Sequence, residues 1–293
     1  MHARKVDLSI MRRNRNTTQT IGFSTLTLLT LVTIIPILVV IGYIYIQGMP
    51  AVSLSFLTEM PRDGMRAGGI LPAIIGTLLL TLGTALFSVP LGIGAAIYLA
   101  EYAPDNRWTR VIRIAIINLA GIPSVVYGLF GLGLFVLFLQ FGTSILAGSL
   151  TLSIMTLPVI ISTTEEALRA VPNDFRVVST ALGATKWETI RKIVLPQSLP
   201  GILTGVILGL ERAAGETAPI LFTVAAFFLP QLPDSIFDAT MALPYHLFVI
   251  STQVPGMPVQ IQYGTAVVLL TFVLLMNISA TIIRSRARAR RQW

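Results

Sequence analysis

Three ionisable residues, Glu211, Arg212 and Glu216, lie in an otherwise apolar run of the chain, about Leu199–Phe228. At the centre of a bilayer each costs about 2.5–3.5 kcal/mol on insertion scales, and three facing lipid approach ~10 kcal/mol by simple addition. That penalty drives them towards the interior of a helical bundle or a water-filled path. Arg212 and Glu216 are four apart, about 40° round a helix, and can pair. Glu211 is about 100° from Arg212 and needs another partner. Two readings follow. In one, Arg212–Glu216 is a buried structural pair that fixes helix register. In the other, the guanidinium fork, which matches tetrahedral oxyanions, offers them a site, and the carboxylate weakens the grip enough to allow release.

The elements that hold these residues are read from composition and patterning. The chain has 293 residues, 54% hydrophobic and 12% charged. A soluble domain carries about twice that charged fraction. The apolar excess is concentrated in runs long enough to cross a membrane, at about Ile21–Ile46, Ile70–Ala100, Val111–Gln140, Ile145–Leu168, Leu199–Phe228 and Gly264–Ile283. The fold class expected is an all-α polytopic membrane bundle of about six transmembrane helices. The first run is too long for a signal-peptide core and is expected to stay as an anchor. Pro36, Pro72, Pro90, Pro123 and Pro158 lie in or beside these runs, where neighbouring helices can satisfy the carbonyls they free. Gly201, Gly205 and Gly209, continued by Ala213, form a small-residue stripe that lets a neighbouring helix come close.

Several chemistries are excluded. With no cysteine there is no disulfide, thiol or Cys-based zinc site, and with only His2 and His246 a metal centre is not expected. No G-x-x-x-x-G-K-[ST] loop is present, and Gly92-x-Gly94 and Gly131-x-Gly133 lie in membrane runs, so ATP is not bound by this chain and no cofactor is expected. No Ser/His/Asp set points to catalysis. The net charge of +8 is spread over short segments between apolar runs, a topology signal rather than a nucleic-acid face. Eighteen Lys and Arg fall in alternate segments that share one side: the amino-terminal arm, Arg107–Arg113, Arg169–Lys192 and the tail from Arg284. Only Arg62 and Arg66 fall on the other. The positive-inside rule places both termini in the cytoplasm. Thr163, Thr164, Glu165 and Glu166 then end the fourth span as a solvated helix end beside basic residues, with a gate contact as the alternative.

One basic segment stands apart. In Ser179–Pro196, STALGATKWETIRKIVLP, Gly183 is followed by Ile193-x-Leu195-Pro196 in the spacing G-x9-I-x-L-P. Pro172 stops the preceding span, Gly183 allows a bend or a close approach, and Pro196 and Pro200 are expected to end the segment. Val178, Ala181, Leu182, Trp187, Ile190, Ile193 and Val194 can form one apolar side. The reading is a small helix–turn–helix tied tightly to the fourth and fifth spans. The plainer alternative is an amphipathic loop lying on the bilayer surface.

In this loop, and in YLAEYAP at Tyr98–Pro104, GIPSVVYGLFG at Gly121–Gly131, LPVIISTTEEAL at Leu157–Leu168, ALGATKWETI at Ala181–Ile190 and RAAGETAPILFT at Arg212–Thr223, the chain resembles membrane subunits of ABC importers. More narrowly it resembles the A-type permeases of phosphate-specific systems. It departs from the general pattern at Val177, Val178 and Ser179, where importer loops begin Glu-Ala-Ala, and at Ser162, where the phosphate branch often carries a basic residue. The resemblance implies a type I (MetI-like) permease domain over 21–283 with a coupling loop at 172–197, between a basic cytoplasmic arm at 1–20 and a basic tail at 284–293. It implies that Ala181, Leu182, Gly183, Ala184, Trp187, Ile193, Leu195 and Pro196 couple to a dimeric ABC ATPase, and that the glycine stripe packs beside a C-type partner permease. An extracytoplasmic binding protein delivers phosphate, and Arg212, Glu216 and Glu211 line its pathway in the membrane. A permease for molybdate or sulfate, or an ion-coupled secondary transporter using Glu211 and Glu216, are the alternatives.

Overall fold

The computed structural model describes residues 8–289. Of the basic residues read as topology signals, Arg4, Lys5, Arg290 and Arg291 lie outside the described residues. The chain runs α1 (Leu8–Gly48), α2 (Leu54–Thr58), a two-stranded ribbon of β1 (Pro61–Arg62) and β2 (Ala67–Gly68), α3 (Leu71–Ile97), α4 (Arg107–Ala120), α5 (Ser124–Gly131), α6 (Ile145–Arg169), α7 (Asn173–Ala181), α8 (Lys186–Thr189), α9 (Leu195–Gly215), α10 (Ala218–Thr223), α11 (Leu243–Thr252) and α12 (Val259–Ala289). The ribbon is antiparallel, with Pro61 opposite Gly68 and Arg62 opposite Ala67. Among the described residues five helical stretches are long and apolar enough to cross a membrane, and a bent pair makes a sixth if it is counted as one span.

α6 is the central helix. It packs along α3 on one side and α9 on the other, and buries Leu152, Met155, Ile160 and Leu168. Its first turn has no intrahelical acceptors, and all four donors find partners elsewhere. The Ser144, Ile145 and Leu146 amides donate to the carbonyls of Thr223, Asp238 and Ile236, each at 2.9 Å. The Ala147 amide donates to the Ser144 hydroxyl at 3.2 Å. Those carbonyls come from the last residue of α10 and the loop before α11, so the far end of the bundle closes over α6. α11 is pinned to α3 by the Leu243 amide, which donates to the buried Thr77 hydroxyl at 2.7 Å. α1 packs on α12, and from Ile21 onward it exposes a row of large apolar side chains, as a helix facing lipid or another subunit requires.

Several expectations are corrected. The third run is not one straight span: α4 and α5 meet at 101°. Gly121 caps α4, and Pro123, which lacks an amide and restricts Ile122, starts α5. The fifth run ends at Gly215 rather than Phe228, because Glu216 turns to an extended conformation three residues before Pro219. The long stretch after it contains α11, which opens on Leu243-Pro244, a favoured helix start. Pro196 and Pro200 do not stop the Ser179–Pro196 segment. A π-helical turn at Ile190–Val194 leads straight into α9, so Lys186–Gly215 is one continuous helical stretch. The glycine stripe is filled from within the chain: a side chain at Gly201 would meet Ala167, at Gly205 Thr163, and at Gly209 Ile160 and Thr156. This descending order is that of an antiparallel neighbour, α6, and not of a partner permease.

Candidate functional site

Arg212 lies in the last turn of α9, and Glu216 is the residue at which that helix ends. Arg212 Nε donates to Glu216 Oε1 at 3.3 Å, the i, i+4 contact expected. The pair is loose by the standard of charge-assisted bonds, and no second hydrogen bond to the Arg212 side chain is found among the described residues. The two ends differ in surroundings: Glu216 is 17% exposed and Arg212 34%. Glu216 borders a void of ≈10 Å³ between α3, α6 and α10, room for one water at most. Arg212 lies within electrostatic reach of Tyr127, whose hydroxyl donates to the Leu119 carbonyl at 2.7 Å. About a third of the Arg212 side chain is exposed, and its remaining N–H groups have no protein acceptor among the described residues. Glu211 is on a different side, as its 100° offset requires. It lies in a groove of ≈490 Å³ between α9 and α12, against Asn277. The structure joins Arg212 and Glu216 and separates Glu211 from them.

The loop at 172–197 is two short helices and a turn. Gly183 has a φ of +86° with open space around it, so it makes a bend and not a close approach. Thr185 and Glu188 form a reciprocal capping box that starts α8. The Ser179 and Thr189 hydroxyls bond at 2.8 Å, clamping α7 to α8. The apolar residues divide between two faces instead of forming one. Ile190 and Val194 are buried against the bundle, with Leu195 packed beside Val194. Val177, Val178, Trp187 and above all Leu182, 84% exposed, face outward. Leu182, Gly183, Ala184 and Ile193 share a groove of ≈820 Å³ with Phe175 and Val178. Ala181 and Pro196 are exposed at its margins.

The end of the fourth span is mixed: Glu166 and Arg169 are exposed beside one another, while Thr164 is buried and Glu165 is mostly so. Glu165 is 12% exposed and accepts from Arg113 Nε at 2.8 Å and Arg169 Nε at 3.0 Å. Arg113 also donates to the Leu99 carbonyl at 2.8 Å. Nearby, Arg176 of α7 pairs with Glu101 at 2.6 Å. Sequence reading did not single out Glu101, Arg113 or Arg176. A charged residue at the edge of an apolar run is the available signal, but its partner lies 52 or 75 positions away.

With the fold and loop in place, the chain can be set beside known proteins. The family model described as "Binding-protein-dependent transport system inner membrane component" matches residues 88–289, and the chain belongs to that family. It is 35% identical over 288 residues to the phosphate transport system permease protein PstA of Mycobacterium leprae, covering 97% of this chain and 93% of that one. It is 35% identical to the probable ABC transporter permease protein YqgI of Bacillus subtilis, covering 81% and 85%. The fold matches the MetNI methionine ABC transporter at TM-score 0.61 and 18% identity, over 74% of this chain and 95% of that one. It also matches a bacterial ABC transporter involved in import of the acidic polysaccharide alginate at TM-score 0.66 and 13% identity, over 96% and 99%. The protein is a multi-pass membrane permease of the type I importer fold.

Proposed function

We propose that this chain is the A-type membrane permease of an ATP-driven importer of inorganic phosphate. The observation that carries the mechanism is one helical stretch, Lys186–Gly215, with a docking loop at one end and Arg212 at the other. Between Pro196 and Arg212 the rise is about 24 Å at 1.5 Å per residue. Exposed Leu182 and Trp187 on a loop that leaves the bundle suit a protein partner. An ATPase dimer gripping them tilts α9, and α6 with it through the glycine-stripe contact. Access then alternates between the two membrane faces as a rigid-body change. The similarity to phosphate permeases, at 33–38% identity over much of the chain, supports phosphate as the cargo.

The pathway lies at the junction with a second, C-type permease. Arg212 is the more exposed member of its pair and has donors to spare, so a second wall from the partner completes the chamber. A passing phosphate competes with Glu216 for the guanidinium, and return of Glu216 releases it. Positive-inside charge places the loop, the amino-terminal arm and the tail in the cytoplasm of a bacterial cell. The periplasmic or extracellular binding protein then docks at the end closed over α6. ATP is held by the partner ATPases, and this chain needs no cofactor.

In proteoliposomes carrying the complete assembly, Arg212→Gln abolishes ATP-dependent uptake of labelled phosphate while the subunits still co-purify. Wild-type uptake in that variant refutes the pathway role. Uptake by the lone chain driven by an ion gradient refutes the importer reading as a whole.

A further inference from the structure

Chain connectivity ties the docking loop to α6 and α9, since it is the segment between them. α3 has no such tether, yet it packs along α6 for much of its length. It ends in a π-helical turn at Tyr98–Tyr102, and two contacts reach from the loop to that turn. Arg176 of α7 donates through Nη2 at 2.6 Å, and more weakly through Nε at 3.3 Å, to the Glu101 carboxylate. Lys186 at the start of α8 sits 4.8 Å over the Tyr102 ring.

Arg176 does more than pair with Glu101. Its Nη2 also donates to the Leu168 carbonyl at 2.9 Å, and its Nη1 to the Val171 carbonyl at 2.8 Å. These carbonyls lie at and just past the carboxyl end of α6, where backbone acceptors have no helical partners. One planar guanidinium thus holds three elements: the docking helix, the end of α6 and the end of α3. Glu101 is only 7% exposed and Arg176 21%, so the joint is mostly shielded from screening. A flexible ammonium cannot hold the same fork, because its donors are not set in a plane.

We propose that the Arg176–Glu101 pair is the joint that carries the docking-loop stroke into α3, so that α3, α6 and α9 move as one body. Arg176 is a positioning residue and touches neither phosphate nor ATP. This inference rests on the docking role assigned to the loop.

The test uses the complete assembly in proteoliposomes, measuring retained ATPase, the KM for phosphate uptake and phosphate imported per ATP hydrolysed. In Arg176→Gln and in Glu101→Gln the ATPase stays bound and KM is unchanged, while phosphate per ATP falls about tenfold or more, within the usual range of coupling between sites. Arg176→Lys recovers only part of the loss. Because the chain has no cysteine, Glu101→Cys combined with Arg176→Cys can be joined by a short bifunctional thiosulfonate. Joining restores phosphate per ATP relative to the same protein left open, and this comparison cancels any folding loss shared by both. Wild-type coupling in both glutamine variants overturns the proposal, as does a joined pair no better coupled than the open one. Docking has its own readout: an ATPase that binds equally well without exposed Leu182 and Trp187 refutes the docking role, whatever the joint variants do.

Discussion

Gly205→Ala tests the closeness of α6 and α9, on which the proposed transmission along the bundle depends. A Cβ built at Gly205 would overlap the Thr163 hydroxyl and lie 2.8 Å from the Thr163 Cβ. Thr163 cannot swing freely aside, because its hydroxyl donates to the Val159 carbonyl at 2.6 Å. The helices must part or Thr163 must give up that bond. Overpacking of this kind costs about 1–3 kcal/mol. At about 2–4 °C per kcal/mol for a large domain, the thermal midpoint drops several degrees. The control is Gly94→Ala in α3, where nothing lies within 4 Å of the new carbon. There alanine is simply the better helix former, worth about 0.5–1 kcal/mol in the opposite direction. Both variants are measured by thermal unfolding of the detergent-solubilised protein. Thr163→Ala added to Gly205→Ala relieves the hydroxyl overlap and recovers part of the loss. If the two alanine variants shift the midpoint equally and in the same direction, the tight α6–α9 contact is refuted.

Other perturbations reach different parts of the molecule. Leu182→Asp with Trp187→Ala places a charge and a cavity on the exposed docking face; the ATPase then fails to co-purify while the permease stays folded by circular dichroism. Thr77→Val keeps the side-chain shape but leaves the Leu243 amide without its 2.7 Å acceptor. A buried unpaired amide costs about 1–3 kcal/mol, read as a lower unfolding midpoint, and an unchanged midpoint contradicts the pinning of α11 to α3. Arg212→Lys retains the charge but not the planar fork. It is expected to transport phosphate more slowly than wild type and faster than Arg212→Gln, measured as labelled uptake.

Much of this architecture was legible because the membrane imposes a coarse rule: apolar runs become helices and charge segregates between them. The bend of the 172–197 loop was legible at Gly183, but its end was not, because the helix runs on through Ile193-x-Leu195-Pro196. The breaks were harder. Gly121-Ile122-Pro123 and Glu216-Thr217-Ala218-Pro219 each carry a proline signal, but hydropathy runs through both without a dip. Pro196 and Pro200 misled in the opposite sense, since a π-helical turn leads into α9 and the helix continues through both. The Arg212–Glu216 pair followed from helix geometry alone. The Arg113–Glu165 and Arg176–Glu101 pairs did not, because long-range pairing depends on how α3, α4, α6 and α7 meet. The glycine stripe showed that something packs closely, while only the fold could say which helix does.

The closure over α6 bears on where selection among anions begins. A helix's first turn is a ready cradle for negative charge, through its bare amides and its dipole. In this chain the Ser144, Ile145, Leu146 and Ala147 amides are already spoken for, and the oxygens that occupy them repel an arriving anion. That electrostatic lure is switched off by the chain's own oxygens, so on the proposed pathway discrimination among anions falls to the Arg212 guanidinium.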